Sequence, residues 1–146
     1  MPRSWSRTTG GIVGLAIRVI ATILVDRNGA MVKGRAFSAD RVIGDPIQAA
    51  QLYADVREVD KLVLLDVHAT ADGREPDYDH IGRIAETCRV PLAYGGGIST
   101  AAIAAKVIAG GADKVVLGRT AERNRGLVRE VAQRLGSQAV VVSLDV

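Results

Sequence analysis

The chain has 146 residues, of which 48% are hydrophobic and 24% charged, a composition typical of one globular domain with its own core. Aromatic residues make up only 3%, which argues against a surface that stacks on nucleic-acid bases. The net charge of +3 is scattered, except for a cluster that we interpret as a solvated helix face, namely Arg119, Arg123, Arg125 and Arg129.

No run of residues is long enough and free enough of charge to predict a membrane span. The single cysteine, Cys88, excludes an internal disulfide and suits a reducing compartment, so we expect a cytoplasmic protein. Cys88 also shares the apolar side of a predicted helix with Ile81 and Ile84, which favours a core position over a nucleophile.

The first part of the chain divides into a tail and the start of a domain. Residues 1–16 are rich in polar and flexible residues and predict a tail, which leaves residues 17–146 as the domain. A β-branched run over 17–25 predicts the first strand, and the turn signal of residues 26–29 ends it. Residues 31–34 predict a small excursion that carries Lys33. Asp45 and Pro46 then form the N-cap and first turn of a helix.

The rest of the chain alternates strands with helices. The predicted strands after the first are Lys61–Asp66, 91–95, 113–117 and 138–144. Helices are predicted over 77–88, over 99–109 with Ser99 as its N-cap, and over 125–135 with Asn124 as its N-cap. The strand 61–66 is apolar at every interior position, which is typical of a sheet buried on both faces. Residues 118–120 are predicted as an exit turn.

This alternation predicts a parallel α/β fold, in which ligands bind at the carboxyl ends of the strands. Acids or glycines stand at four predicted strand ends: Asp66, the glycine run, Gly118 and Asp145. The run of Gly95, Gly96 and Gly97 lies just ahead of a helix, where backbone N–H groups can hold a phosphate. The alternative is a tight strand-to-helix turn that needs glycines for steric reasons only.

Two carboxylates on opposite sides of such a pocket suit general acid and base work. Asp145 and Asp66 are the two predicted strand-end acids, and each has the alternative role of capping or anchoring a loop by accepting backbone N–H bonds. Lys33 is a candidate clamp for a substrate or phosphate, or else an exposed loop lysine. We expect His68 at the surface and see no ligand partner for His80.

A set of phrases in this order resembles the cyclase subunit of imidazole glycerol phosphate synthase, the HisF family. The phrases are VKG at 32–34, GDP at 44–46, LVLLD at 62–66, GRE at 73–75, GGGI at 95–98, GADK at 111–114 and GSQAVVVSLD at 136–145. The resemblance implies a TIM-type (βα) barrel, here incomplete with about five strands. It also implies a lyase that takes ammonia from a glutaminase partner and closes an imidazole ring on a bis-phosphorylated ribulose nucleotide in histidine biosynthesis.

The resemblance carries over to single positions. It implies catalysis by Asp145, help from Lys33 on a mobile loop, and a phosphate contact from the glycine run. Asp66, Gly118 and Thr120 are further candidates for phosphate or substrate contacts because they stand at predicted strand ends. It places Arg18, Lys61 and Lys114 at the barrel floor where ammonia enters. It implies neither a cofactor nor a metal.

The sequence departs from the family pattern at four places. The second catalytic aspartate of the family falls on Leu24, and Asp26 replaces it only if the strand shifts. Lys61 stands at the floor position that the family usually gives to an acid, and Gly118-Arg119 stands at the strand-4 exit that is usually Asn-Thr. The match stops at strand 5. The Cys88-to-Gly97 stretch is closer to a sub-branch that works with a glutaminase to amidate surface-polysaccharide sugars.

Two other interpretations stay open at this point. A non-catalytic half-barrel or fragment would leave strands 1 and 5 as bare edges, through which two copies could pair as a homodimer. A doubly wound nucleotide-binding domain would need glycines after strand 1 that Gly29 and Gly34 do not supply.

Overall fold

The computed structural model describes residues 17–34, 41–55 and 59–144. Its strands are β1 (Ile20–Val25), β2 (Met31–Lys33), β3 (Arg41–Gly44), β4 (Lys61–Asp66), β5 (Leu92–Gly95), β6 (Lys114–Leu117) and β7 (Val140–Val142). Its α-helices are α1 (Pro46–Asp55), α2 (Tyr78–Thr87), α3 (Ala101–Ala109), α4 (Arg119–Arg123) and α5 (Arg125–Leu135). A short 3-10 helix, Ser137–Ala139, precedes β7.

The described strands form one sheet in the order β3-β2-β1-β4-β5-β6-β7. The strands β1, β4, β5, β6 and β7 are parallel and stand side by side in chain order. A doubly wound fold reverses its strand order at a switch point, and this sheet has no such reversal within the described residues. The predicted incomplete barrel of parallel (βα) units is therefore confirmed.

One face of the sheet, which we call the helix face, packs against the helices. Leu62 and Leu64 of β4 point to this face and are fully buried, together with Ile23 of β1 and Leu92 of β5. We call the opposite face of the sheet, to which Val63 and Leu65 point, the inner face. These two residues are only half-buried and do not join the core cluster. The core of the described chain therefore lies between the sheet and its helices.

Local sequence explains where several elements begin and end. Asp77 caps α2 by accepting a hydrogen bond from His80 N at 2.9 Å, and Asn124 caps α5 in the same way through Leu127 N. Asp45 accepts from Ile47 N at 2.8 Å at the start of α1. Gly111 follows α3 with a φ of +122°, a conformation that favours glycine. These predicted boundaries are confirmed.

Some predicted boundaries were wrong. Thr100, not Ser99, is the N-cap of α3, because the Thr100 hydroxyl accepts from Ile103 N at 3.2 Å. The predicted exit turn forms the short helix α4, whose first turn closes onto the Gly118 carbonyl. The first strand begins at Ile20 rather than at residue 17. The last strand is shorter than predicted, because a 3-10 turn takes up its first residues.

The predicted excursion after β1 is a β2–β3 hairpin that extends the sheet beyond β1. Only Val25 of β1 pairs with β2, through Met31, so the hairpin covers the carboxyl end of β1 and not its whole length. The expectation that β1 is a bare edge was wrong for that end, and the described sheet ends on β3 and β7. The predicted tail at 1–16 lies outside the described residues, and within those residues no helix is long and apolar enough to cross a membrane.

Candidate functional site

The carboxyl ends of neighbouring parallel strands lie side by side along one edge of the sheet. Val25 at the end of β1 is in register with Asp66 at the end of β4. Leu65 is in register with Gly95, and Gly95 with Val116. The predicted convergence of strand ends is therefore present for four strands. Asp145, the predicted catalytic residue, lies outside the described residues, just beyond the end of β7.

The glycine run forms a tight turn beneath the β4–α2 loop, residues 67–77. Gly96 and Gly97 have φ values of +116° and +69°. A Cβ on Gly96 would lie 2.5 Å from the Asp66 carbonyl oxygen, and a Cβ on Gly97 would lie 2.3 Å from that of Arg74. The Gly97 amide donates to the Thr70 hydroxyl at 3.0 Å. The close approach of the loop backbone thus requires glycine at both positions, as expected for a turn that needs glycines for steric reasons. A phosphate at this turn stays a prediction.

Gly95 has a different role, because it lies on the inner face. A Cβ there would lie 2.8 Å from Leu65 Cδ2 and 3.0 Å from Val116 Cβ. Glycine at this position lets β5 pack tightly between β4 and β6 while the Leu65 and Val116 side chains fill the inner face.

Asp66 points to the helix face, and its carboxylate holds the β4–α2 loop. Oδ1 accepts hydrogen bonds from the amides of His68 and Ala69 at 3.0 and 2.9 Å. The Arg74 guanidinium adds an ion pair at 2.9 Å to Oδ2. These contacts are those of the loop-anchoring alternative, and a substrate contact by Asp66 stays a prediction.

Strand β1 offers no acid to the inner face. Leu24 is in register with Leu65 on that face, so the position that the resemblance assigns to an aspartate faces inward with an apolar side chain. Asp26 cannot replace it in this conformation, because its Oδ1 accepts from Asn28 N at 2.9 Å and from Ala30 N at 3.0 Å. Asp26 is the residue that folds the β1–β2 turn.

The other residues predicted near the carboxyl ends of the strands lie on the flanking elements. Lys33 is the exposed last residue of β2, next to the buried Val32. Gly118 is the N-cap of α4, and the half-buried Thr120 lies in its first turn. The helix α4 follows β6 directly, so both residues lie at the same edge as the glycine turn.

The three predicted floor cations lie at the opposite edge. Lys61 and Lys114 are the half-buried first residues of β4 and β6, and Arg18 is exposed just ahead of β1. The Lys114 ammonium donates to the Gln138 carbonyl. Neighbouring Asp60 accepts from Val19 N at 2.7 Å, which ties the start of β1 to the start of β4. The two predicted groups of residues are therefore separated by the length of the strands.

A buried polar cluster on the helix face was missed by sequence reasoning. Tyr94 is 2% exposed and His80 8% exposed, and both line a cavity of about 20 Å³ that also touches Asp66 and Arg74. Burial and the Asp66 carboxylate raise the pKa of the Tyr94 hydroxyl. The signal in the sequence was weak, since a lone histidine near a helix start and a tyrosine in an apolar strand are common.

Comparison with known proteins gives a family for this architecture. The model of the family described as "Histidine biosynthesis protein" matches residues 18–146. The chain is 43% identical over 131 residues to the imidazole glycerol phosphate synthase subunit HisF of Streptomyces coelicolor, with 90% of this chain and 51% of the relative aligned.

Two further relatives carry the same name. The chain is 42% identical over 133 residues to the protein of Streptomyces griseus, with 91% of this chain and 52% of the relative aligned. It is 42% identical over 134 residues to that of Thermobifida fusca, with 92% and 52% aligned. The chain thus spans about half the length of the curated relatives it matches. Because the family model matches residues 18–146, which include the whole described sheet, the chain belongs to the histidine biosynthesis protein family.

Proposed function

We propose that this chain supplies part of the cyclase of an imidazole glycerol phosphate synthase. In this proposal it is a lyase subunit that uses ammonia to convert a bis-phosphorylated ribulosyl aminoimidazole carboxamide nucleotide to imidazole glycerol phosphate in the cytoplasm. The observation that carries the proposal is the combination of five parallel strands in chain order with about 40% identity to HisF subunits over nearly the whole chain.

The mouth at the carboxyl ends of the strands is the proposed reaction site. One phosphate of the substrate would sit at the glycine turn and the start of α3, near Gly118 and Thr120 of the next strand end. The positive charge of Lys33 at the end of β2 would hold the substrate from the other side. The apolar inner-face residues Leu24, Leu65 and Val116 would form the wall of the pocket and exclude water.

Asp145 is the proposed proton-transfer group. It lies three residues after the end of β7 in the sequence, and a carboxylate near a strand end can take or give a proton during ring closure. With Leu24 at the corresponding end of β1, one of the two carboxylates of a paired acid–base mechanism is absent. We therefore expect slow ring closure, with Asp145 as its main catalytic group.

A glutaminase is the proposed partner, and the opposite edge is its proposed docking site. Ammonia would enter between Arg18, Lys61 and Lys114. Three cations at one opening repel one another, so a partner surface with acidic side chains would stabilise the complex. A second copy of the chain is a further proposed partner, because the inner face of the described sheet has half-buried apolar residues and no helix packed on it.

The test is an ammonia-dependent turnover assay with the histidine-pathway nucleotide, in which wild type is compared with Asp145→Asn. The proposal predicts formation of imidazole glycerol phosphate by wild type and a loss of at least about 100-fold in the variant. Equal rates in both proteins would contradict the role of Asp145.

Absence of turnover, together with retained glutaminase binding, would contradict the cyclase and point to the sugar-amidation branch instead. Absence of both turnover and glutaminase binding would point to a non-catalytic half-barrel. Sedimentation of the same samples separates a soluble dimer from a monomer or an aggregate.

A further inference from the structure

The polar cluster beneath the β1–β2 turn consists of His80, Tyr94 and Asp66, and it lines a cavity of about 20 Å³ on the helix face of the sheet. All three side chains are more than nine-tenths buried. The cavity is also bordered by Asp26, Arg27 and Gly29 of the turn and by Arg74 and Asp77 of the β4–α2 loop. It therefore lies where α2, β4, β5 and the turn meet.

The hydrogen-bonding capacity of this cluster is only partly used. Asp66 is engaged by two loop amides and Arg74. Among the described residues, neither the Tyr94 hydroxyl nor the His80 ring makes a hydrogen bond to another protein group. Yet within the same residues every side-chain nitrogen or oxygen that is completely inaccessible to water has a hydrogen-bond partner. The Tyr94 hydroxyl and the ring nitrogens of His80 must then reach space that a water molecule can enter.

The size and the lining of the cavity both suit one water. A site needs about 10–15 Å³ and two to four polar partners to hold a water molecule, whereas cavities of purely apolar lining stay dry. This cavity meets both conditions, with Tyr94, His80 and Asp66 as the partners. We infer that it binds a single long-lived internal water that bridges the Tyr94 hydroxyl, the His80 imidazole and the Asp66 carboxylate.

The water has a structural task, because the cluster supports the β1–β2 turn. A Cβ on Gly29 would lie 2.8 Å from Cε1 of His80, so the turn rests directly on the imidazole ring. The same turn is held by Arg27, which pairs with Asp72 at 2.6 Å. A water that fixes the orientation of His80 thus also fixes the surface on which Gly29 packs. The chain enters β2 two residues after Gly29. This inference does not depend on the proposed cyclase activity.

The test has two parts and uses the full chain. A crystal structure at high resolution is expected to contain one ordered water within about 3.2 Å of the Tyr94 hydroxyl and of a His80 ring nitrogen. In solution, water oxygen-17 relaxation dispersion counts long-lived internal waters. We expect Tyr94→Phe to remove one such water and to speed amide exchange at Gly29 and Ala30 about tenfold.

Two variants keep the test sharp. Tyr78→Phe is the matched control, since the Tyr78 hydroxyl bonds Glu75 at 2.8 Å and lies outside the cavity lining. It should leave the water count and the exchange rates unchanged. His80→Leu removes the polar ring and should also lose the water, which covers the case in which Tyr94→Phe folds poorly. A wild-type protein without the water, or a water retained in both Tyr94→Phe and His80→Leu, would overturn the inference.

Discussion

The guanidinium of Arg74 lies 2.9 Å from Oδ2 and 3.2 Å from Oδ1 of Asp66 at the carboxyl end of β4. This pair folds the β4–α2 loop back over the strand end, so that the Arg74 carbonyl meets Gly97 and the Thr70 hydroxyl meets the Gly97 amide. One ion pair therefore sets the shape of the loop that covers the glycine turn.

Removing the carboxylate should destabilise the fold. Asp66→Ala leaves two loop amides without their acceptor and Arg74 without its partner. Such losses cost about 2–4 kcal/mol when the group is buried. Urea denaturation measures the difference. Asp79→Ala, an exposed carboxylate in the first turn of α2, is the control and should cost no more than about 1 kcal/mol. A loss below about 1 kcal/mol for Asp66→Ala would show that the loop does not depend on this pair.

The close packing at the glycine turn predicts that two glycine substitutions differ greatly in their effect on the free energy of unfolding. Gly97→Ala introduces a Cβ 2.3 Å from the Arg74 carbonyl oxygen at a positive φ, and should lower the free energy of unfolding by at least about 2 kcal/mol. Gly44→Ala is the matched control, because no atom lies within 4 Å of its new Cβ. Thermal unfolding of both variants measures the contrast. Similar melting temperatures would mean that the loop does not pack on Gly97 as described.

The bond between Arg27 and Asp72 predicts a pH effect. The Arg27 guanidinium holds the pKa of the Asp72 carboxyl below its ordinary value of 3.8. A carboxyl with a lowered pKa in the folded protein stabilises the fold above its ordinary pKa, and that contribution is lost as the pH falls through the lowered value. Carboxyl carbon-13 titration should show the Asp72 pKa rising toward 3.8 in Arg27→Gln.

Arg27→Lys is the control for that titration. It keeps the charge but not the two-pronged contact of Nε and Nη2 with Asp72, so an intermediate Asp72 pKa is expected. An unchanged Asp72 pKa in Arg27→Gln would exclude the contact in solution.

Cys88 should react slowly with alkylating agents. Its thiol donates to the Val90 carbonyl at 3.1 Å, and burial is the main cause that raises its pKa. We expect iodoacetamide at pH 8 to modify native Cys88 about tenfold more slowly than the urea-unfolded chain. The matched control is Ala102→Cys in a Cys88→Ala background, since Ala102 is exposed on α3. Equal rates at the two positions would refute the half-buried position of Cys88 against the core.

Sequence patterns predicted the elements whose signals are local. The apolar run of β4 has the predicted bounds, and Asn124 caps α5 as expected. The hairpin strand β3 and the helix α4 were not predicted, because Arg41–Gly44 and Arg119–Arg123 are short and mostly exposed, so neither has a clear apolar pattern. The parallel order of the strands followed from the alternation of strand and helix.

The orientation of the site residues was harder to predict. The strand β4 is apolar at each interior position, so no alternation shows that Asp66 faces the helices rather than the inner face. The surroundings of His80 depend on Gly29, which is distant in sequence, and no local pattern reports that contact. Residues at the strand ends were identified, but their partners required the fold.

The central proposal is that ring closure occurs at the inner-face mouth of the parallel strands. Its most direct test compares the ammonia-dependent rate of Leu24→Asp with that of wild type. Leu24 faces that mouth beside Leu65, so an added carboxylate there should act as a second acid–base group and raise the rate by about 100-fold. Asp145→Asn added to Leu24→Asp should abolish the gain. A rate that Leu24→Asp leaves unchanged in a folded protein that still binds the nucleotide would contradict the account.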